Sequence, residues 1–287
     1  MQRWPPRGGM VCSALPGGCS GRRRPTASGG DLSDETSHTG RLWVRAGGAS
    51  QKGPQKPQNQ DAFCRLGESP NAVGRGQLFA VSDGVSTVRL GQWSARLTCL
   101  RIEQFFASDQ PIDVAALTQL IGEIDWELRG EGHGSAACTL SILWLHGEEA
   151  VAIHVGDSAI YRVRHDNVAL ITQIHGGGRG LAAFMGMGPA VSEVVRVARE
   201  PLQDGDIFIL VTDGVTDVVE PAELAVQWAR SGGDPDAAAR QILELVTERK
   251  GRDDATAVVV QFLNDGTHER VTDPTNAPDV PSRLLGG

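Results

Sequence analysis

Apolar and polar residues follow one another along the chain in blocks that predict strands first and helices next. Short alternating runs predict strands at 41–46, 61–66 and 77–82. Two helices are predicted at 92–107 and 112–129, the second because its apolar residues recur at helical spacing. The apolar stripe of the second helix consists of Ala116, Leu117, Leu120, Ile121, Ile124 and Leu128.

The middle of the chain contains four further strand-like runs, "CTLSILWL", "AVAIHV", "AIYRVR" and "VALIT". The segments between them, "HGEE", "GDS" and "HDN", are too short for the crossover that joins parallel strands. We therefore expect an antiparallel meander of these four strands and not a parallel, dinucleotide-type sheet. The remaining pattern predicts strands and helices in the order strand 192–198, strand 206–212, helix 221–231, helix 235–250 and strand 256–262.

Strands and helices that are segregated into blocks indicate the α+β class. Two antiparallel β-sheets packed as a sandwich and flanked by helix pairs, in four layers αββα, would bury all the apolar faces. We expect this domain at residues 41–263. Residues 1–40, rich in Gly, Ser, Arg and Thr, are predicted to be a disordered leader, and 264–287 a flexible tail.

Charge and cysteine content narrow the class of protein. The net charge of -8 and pI near 5.4 argue against nucleic acid as a partner. Five scattered cysteines form neither a disulfide framework nor a zinc motif, which favours a reducing, cytoplasmic location. No apolar run approaches the ~18 residues of a membrane helix, so no membrane partner is expected.

Two Asp-Gly pairs stand out among the four in the sequence. Asp204 and Asp265 lie in polar surroundings, where Asp-Gly is a common turn. Asp83 and Asp213 instead follow the apolar runs "LFAV" and "FILV", so each carboxylate is expected at the end of a buried strand. Burial of a carboxylate is costly unless it is paired or bound to a metal. These two residues are therefore candidate metal ligands.

Other predicted strand ends also carry aspartate. Asp61 begins a strand, Asp157 lies in the "GDS" turn, and Asp253 and Asp254 precede the last strand. Any one of them alone is better explained as a turn or a helix cap. Together, without a matching set of His or Cys, they favour Mg²⁺ or Mn²⁺ over zinc. Two such ions can polarise a phosphoryl group and provide hydroxide from water.

The chain resembles the metal-dependent protein phosphatase (PPM) family, the type 2C serine/threonine phosphatases. Six motifs carry the resemblance, in the order of the family: "NQDAF", "FAVSDGV", "GSAACTLSILWL", "HVGDSAIYRV", "LQDGDIFILVTDGVTD" and "DDATAVVV". A single Asp-Gly would mean little, but six ordered motifs over residues 42–262 make a chance match implausible. The sandwich fold of the family agrees with the block pattern.

The resemblance implies a hydrolase that uses two Mn²⁺ or Mg²⁺ ions, with a third ion as a further site. Asp83 would bridge the first two ions, with the Gly84 carbonyl on the second. Asp213 and Asp253 would complete the first site.

It further implies that Asp61 binds metal-bound water and that Asp157 shares a third ion with Asp213. A water bridging the first two ions would attack phosphorus in phosphoserine or phosphothreonine. Asp61, Asp83, Asp213 and Asp253 would thus form the catalytic set. Phosphoprotein substrates and a cognate serine/threonine kinase are the implied partners in signalling, and we expect a monomer.

The chain departs from the family pattern at several positions, among them Gln60, which replaces the glutamate of some members. Lys56 takes the region where many relatives have a phosphate-binding arginine, so we assign Lys56 to substrate phosphate; two solvated loop lysines are the alternative. Val85, Ser86 and Thr87 follow the first Asp-Gly, where many relatives have glycines and some a histidine, and Val85 cannot act as general acid. A phosphatase-like module that binds phosphopeptides or a regulatory partner with little turnover is the alternative function, and a metal-dependent phosphodiesterase is a third.

Overall fold

The structure, a computed structural model, describes residues 42–67, 74–132, 134–165, 167–176 and 181–264. These residues belong to one structural unit. The predicted leader and tail lie outside the described residues, apart from Asn264, which ends a strand.

In the described residues, ten strands form two antiparallel five-stranded sheets. The first sheet contains, in spatial order, β1 (Leu42–Gln51), β10 (Ala255–Asn264), β9 (Ile207–Val211), β6 (Ala159–Arg164) and β7 (Asn167–Leu170). The second sheet contains β2 (Asp61–Leu66), β3 (Gln77–Asp83), β4 (Leu140–His146), β5 (Glu149–Val155) and β8 (Arg196–Pro201).

Six helices complete the described part of the chain. They are α1 (Gly91–Ala107), α2 (Val114–Gly132), α3 (Val191–Val194), α4 (Asp213–Thr216), α5 (Pro221–Arg230) and α6 (Pro235–Glu248). Helices α5 and α6 both begin with proline, which is tolerated where the first amide has no helical partner. Asp234 caps α6, since its side chain accepts hydrogen bonds from the amides of Asp236 and Ala237.

Three hydrophobic cores separate the four layers. One lies between α1, α2 and the second sheet, and another between α5, α6 and the first sheet. The third lies between the sheets and contains the fully buried Phe79 and Phe208. Truncation of such an aromatic side chain costs about 3–5 kcal/mol. The expected α+β sandwich in four layers is therefore confirmed.

Strand β10 shows how the sequence builds these layers. Ala257 and Val259 face the helices, whereas Val258 and Val260 face the second sheet. Successive side chains of a strand point to opposite faces, so a strand that is covered on both faces must be apolar at every position. The continuous run "AVVV" at residues 257–260 meets that requirement.

The predicted four-strand meander is wrong at one connection. β4 pairs with β5 and β6 pairs with β7, as expected. β5 and β6, however, lie in different sheets, and the Gly156-Asp157-Ser158 link passes from one sheet to the other. A short link permits a corner between stacked sheets as well as a hairpin, and Gly156 provides the positive φ of 120° that this corner uses.

A second difference concerns the predicted strand 192–198. Its first half forms the short helix α3, and strand β8 begins only at Arg196. In the described residues, no helix is both long enough and apolar enough to cross a lipid bilayer.

Candidate active site

Two neighbouring strands of the second sheet bring Asp61 and Asp83 together. The antiparallel register of β2 and β3 places these residues directly opposite each other, at the start of one strand and the end of the other. The amide of Asp83 donates to Thr139 Oγ1 at 3.0 Å, and the Thr139 amide donates to the Asp83 carbonyl at 2.8 Å. The backbone of Asp83 is thus fixed by β4.

Asp213 approaches from the first sheet. It is the first residue of α4, separated from the end of β9 by one residue, and its carboxyl group is close enough to that of Asp83 for each group to shift the pKa of the other. The two Asp-Gly strand ends singled out in the sequence therefore meet across the sandwich.

The glycine after each aspartate is required by close packing. A Cβ on Gly84 would lie 2.3 Å from the carbonyl of Gly91, and a Cβ on Gly214 would lie 1.9 Å from the carbonyl oxygen of Asp254. No side chain fits at either position, so the chain can turn sharply behind both carboxylates.

Two threonines hold the side chain of Asp61. Thr212 Oγ1 and Thr256 Oγ1 donate to Asp61 Oδ2 at 2.9 and 2.7 Å. Asp61 Oδ1 is buried and has no hydrogen-bond partner among the described residues. Burial, followed by the charges of nearby carboxylates, raises the pKa of Asp61 to about 7, although the threonine hydrogen bonds oppose this shift.

The other two carboxyl groups of the cluster show the same behaviour. Burial and the charge of Asp61 raise the pKa of Asp83 well above its ordinary range. Burial also raises the pKa of Asp213 to about 6, while its hydrogen bond with Asp83 lowers it. Asp213 Oδ1 is, like Asp61 Oδ1, buried without a partner in the described part of the chain. The cluster therefore combines carboxyl groups that lose their protons only at a cost with oxygen atoms that have no partner.

Asp253 lies at the edge of this cluster and forms an ion pair with Lys56. Lys56 Nζ is 2.5 Å from Asp253 Oδ1 and also donates to the hydroxyl group of Ser86. Burial alone would lower the pKa of Lys56, but the hydrogen bond and charge of Asp253 raise it above its ordinary value. Lys56 is thus a cation at the site, held by two of the loops that form it.

The adjacent Asp254 has a different environment, which the sequence did not distinguish from that of Asp253. It is 1% exposed, and its two carboxylate oxygens accept the amides of Gly53 and Gln60 at 2.8 and 2.9 Å. Asp254 therefore attaches the loop that carries Lys56 to the first residues of β10.

Asp157 lies at the corner between the two sheets. Burial raises its pKa, and the charge of Asp217 adds to the shift. The neighbouring Gly156 is fixed by two histidines, since its amide donates to His175 Nδ1 at 3.1 Å and its carbonyl is 2.8 Å from His154 Nε2. Burial lowers the pKa of both imidazoles, that of His154 to about 4, so both rings are neutral at pH 7.

The structure thus brings together most of the residues that the sequence predicted. Charge and hydrogen-bond interactions connect Asp61, Asp83, Asp213, Asp253, Asp157 and Lys56. Gly84 is adjacent, and its amide donates to the carbonyl of Gln60 at 3.1 Å. Sequence reasoning missed Thr139, Thr212 and Thr256, which position the carboxylates. In the sequence, Thr212 directly precedes Asp213 and Thr256 lies two residues after Asp254. Thr139 lies in the motif "GSAACTLSILWL", and these positions were the only signals.

These residues suit a divalent cation by charge and donor type. Carboxylate oxygens are the ligands that Mg²⁺ and Mn²⁺ favour, and two buried carboxylate oxygens lack any other partner. Lys56 pairs with Asp253 at the edge of the cluster. A divalent ion would relieve the repulsion that remains between Asp61, Asp83 and Asp213. No three His, Cys, Asp or Glu side chains in the described ranges form a ready-made metal cage. The residues therefore suit a divalent ion by donor type and charge, but the described residues do not form a complete set of metal ligands.

Comparisons with known proteins identify the family of the chain. The family model described as "Protein phosphatase 2C" matches residues 51–264, well over half of the chain. The chain is 26% identical to "Probable protein phosphatase 2C 59" of Arabidopsis thaliana over 294 aligned positions, covering 85% of this chain and 92% of that protein. It is 34% identical to "Probable protein phosphatase 2C 76" of the same plant over 91 residues, covering 32% of this chain and only 20% of the relative.

A solved structure shows the same fold. The catalytic domain of the serine/threonine protein phosphatase PstP, determined in complex with two manganese ions, superimposes with a TM-score of 0.64. The superposition covers 78% of this chain and all of that chain, at 20% identity.

Proposed function

Since the chain belongs to the protein phosphatase 2C family, a family of metal-dependent serine/threonine phosphatases, we propose that it removes phosphate from phosphoserine and phosphothreonine with divalent ions at the Asp83–Asp213 cluster. The contact between the Asp83 and Asp213 carboxyl groups supports this proposal most directly. Placing two buried carboxylates from different sheets together is costly, and a bound divalent cation would offset that cost.

Each residue of the cluster has a distinct part in the proposal. Asp83, the Gly84 carbonyl, Asp213 and Asp253 would hold two divalent ions, Mn²⁺ or Mg²⁺. When bound, such ions supply a hydroxide nucleophile from water near neutral pH and offset charge on the phosphoryl oxygens. Asp61, held by its two threonines, would accept a hydrogen bond from water at the site.

Asp157 supports a third ion in the proposal, together with Asp213. The charge of Asp217 raises the pKa of Asp157, and the charge of Asp157 raises the pKa of Asp213. The neutral His154 and His175 would keep the Gly156 peptide, and with it Asp157, in place.

Lys56 would bind the phosphate of the substrate. Its ammonium group lies beside Asp253, where a phosphoryl group held by the ions would be within reach. A lysine offers a point charge to phosphate without the bidentate geometry of arginine.

The physiological setting of the proposal follows from the same chemistry. The substrates would be phosphoproteins, and a serine/threonine kinase must supply them. The free and buried Cys64, Cys99 and Cys138 are compatible with a reducing compartment, which supports the cytoplasm. A monomer suffices, since all the residues of the proposed site come from one chain.

The test is hydrolysis of p-nitrophenyl phosphate and of phosphoserine, phosphothreonine and phosphotyrosine peptides, with Mn²⁺, with Mg²⁺ and with EDTA. We expect turnover only with a divalent ion and only slow hydrolysis of phosphotyrosine. Asp213→Asn should reduce kcat at least about 100-fold, since it removes a metal ligand. Asp236→Asn, a change of the same type at an exposed surface residue, is the control. Equal rates in Asp213→Asn and wild type would disprove the mechanism.

A binding module with little turnover is the second candidate. The engagement of Lys56 by both Asp253 and Ser86 favours it, because a lysine held in this way can block access to the cluster. Calorimetry that detects Mn²⁺ and phosphopeptide binding, with no phosphate released from any substrate, would select this candidate over the enzyme.

A further inference from the structure

The lysines of this protein are distributed very unevenly. The sequence contains only three, Lys52, Lys56 and Lys250, although it contains many arginines. All three line one surface depression, which begins at the candidate active site. Residues nearly 200 positions apart in the sequence thus place every lysine of the chain on the same face.

The depression has two compartments that share a wall. The compartment nearest the site has a volume of about 580 Å³ and includes Lys56, Asp217 and Asp253. The second, of about 430 Å³, extends away from the site past Lys52. Lys250, Arg252 and Gln55 line both compartments. We call this surface the cationic groove and define it by Lys52, Lys56, Lys250 and Arg252.

Most of the positive charge in the groove is not neutralised by the protein. Within the described residues, Lys52, Lys250 and Arg252 form no ion pair, whereas Lys56 pairs with Asp253. Lys52 Nζ donates only to backbone carbonyls, those of Gly53 and Lys56, at 3.0 and 2.6 Å. On a protein with a net charge of -8, the groove is therefore a local positive region that favours negatively charged ligands.

The backbone at Lys250 supports a role for its charge. Lys250 has a φ of 59° and lies just beyond the C-terminus of α6, where helices commonly place glycine. Its amide donates to the Thr247 carbonyl at 3.0 Å, and the amide of Gly251 donates to the Val246 carbonyl at 2.9 Å. These two bonds form a Schellman motif, in which a lysine is strained and a glycine is not.

We propose that the cationic groove binds acidic side chains of the phosphoprotein substrate, next to the phosphorylated residue in the candidate site. This inference rests on the proposed function, because the groove and the site share Lys56 and Asp253. Carboxylates of an extended peptide that leaves the site would face Lys250 and Arg252. The substrates would therefore be phosphoserine or phosphothreonine segments with Asp or Glu nearby.

The test compares phosphopeptides with one common core, flanked on the N-terminal side, the C-terminal side or neither side by aspartates. The groove variant is Lys250→Gln/Arg252→Gln, since both side chains are exposed and neither belongs to the catalytic set. Lys52 is left unchanged because it supports the backbone at Lys56. The matched control is Arg96→Gln/Arg230→Gln, which removes the same charge from two exposed residues outside the groove.

We expect wild type to hydrolyse one acidic peptide with a kcat/KM about 3- to 10-fold higher than that of the neutral peptide, the range that two exposed charge contacts provide. The preference should disappear in the groove variant, persist in the control variant, and weaken as salt screens the charges. Hydrolysis of p-nitrophenyl phosphate, which is too small to reach the groove, should be the same in all three proteins.

Two results would overturn the inference while leaving the proposed function intact: equal kcat/KM for acidic and neutral peptides in wild type, or equal loss of the preference in both double variants. A protein that does not hydrolyse even p-nitrophenyl phosphate would contradict the proposed function instead. In that case, fluorescence anisotropy with the same peptides tests the groove separately, and equal affinities for acidic and neutral peptides would refute it.

Discussion

Replacement of Asp61 by asparagine should make the metal-free protein more stable at neutral pH, although it removes a candidate catalytic residue. Asp61 is only 6% exposed, and its pKa is raised from 3.8 to about 7. Below pH 3.8 the group is protonated in both the folded and the unfolded chain and costs nothing. As the pH rises from 3.8 to 7, the unfolded chain ionises while the folded chain keeps the proton, so the free energy of unfolding falls.

The shift of about 3 pKa units corresponds to about 4 kcal/mol, which is the largest gain that Asp61→Asn can give above pH 7. This pKa already includes the hydrogen bonds from Thr212 and Thr256, but part of the gain is lost because the asparagine NH₂ group takes the place of Oδ1, which has no hydrogen-bond partner in the described residues, at about 1–3 kcal/mol. A net gain of about 2 kcal/mol remains, or about 4–8 °C in Tm for a domain of this size.

The measurement is thermal and urea unfolding in EDTA at pH 7.5 and at pH 4. The gain should be present at pH 7.5 and nearly absent at pH 4. Excess Mn²⁺ at pH 7.5 should favour wild type again, because an ion that binds only the folded state stabilises it.

Asp254→Asn is the matched control, since Asp254 is also buried but accepts two backbone amides. An asparagine there turns an NH₂ group toward one of the amides, so this variant should lose about 1–3 kcal/mol. Opposite signs for the two variants are the expected result. If Asp61→Asn is destabilised at pH 7.5 in EDTA, or gains equally at pH 4, the assignment of a strained, metal-ready carboxylate is wrong.

Two further variants test the cations of the site. Lys56→Gln should reduce kcat/KM for phosphopeptides about 10- to 100-fold and weaken inhibition by inorganic phosphate, since a charged hydrogen bond of about 1.5–3 kcal/mol is lost. If phosphate inhibition is unchanged and Mn²⁺ binds more tightly, Lys56 blocks the site and does not bind substrate. Lys250→Gly should raise the free energy of unfolding by about 0.5–1 kcal/mol, because glycine accepts a positive φ without strain but costs more entropy on folding.

The strand ends made the centre of the site predictable. An apolar run that stops at Asp-Gly identifies a carboxylate at the end of a buried strand, and this applied to both Asp83 and Asp213. The sequence could also place Asp61 at the start of β2. What it could not give was the register that sets Asp61 opposite Asp83, because register depends on the pairing of two whole strands.

The corner at Gly156 shows a limit of reasoning from loop length. A link of three residues is compatible with a hairpin and with a passage between stacked sheets, and both satisfy the hydrophobic pattern of β5 and β6. The pattern of apolar residues is the same in the two cases, since each strand is buried on both faces. Only the three-dimensional arrangement places Asp157 between the sheets and near the other carboxylates.

Adjacent residues with the same chemistry are a second limit. Asp253 and Asp254 are equivalent in the sequence, yet one pairs with Lys56 and the other anchors the backbone at Gly53 and Gln60. Their roles depend on which way each side chain points before β10 begins, and no local signal fixes that direction. The threonines that hold Asp61 come from the N-cap of α4 and from β10, and the sequence could not predict their role for the same reason.

The strained backbone at Lys250 connects stability with substrate choice. Lys250→Gly and Lys250→Gln both remove the charge, but only the glycine variant relieves the positive φ, so only that variant should gain stability. If the cationic groove binds acidic peptides, both variants should lose the preference for them to the same extent. A stable glycine variant that has lost this preference would show that the lysine is retained for its charge, at a cost to the fold. A glycine variant that keeps the full preference would mean that Lys250 does not contact the substrate, and the groove would then depend on Arg252 alone.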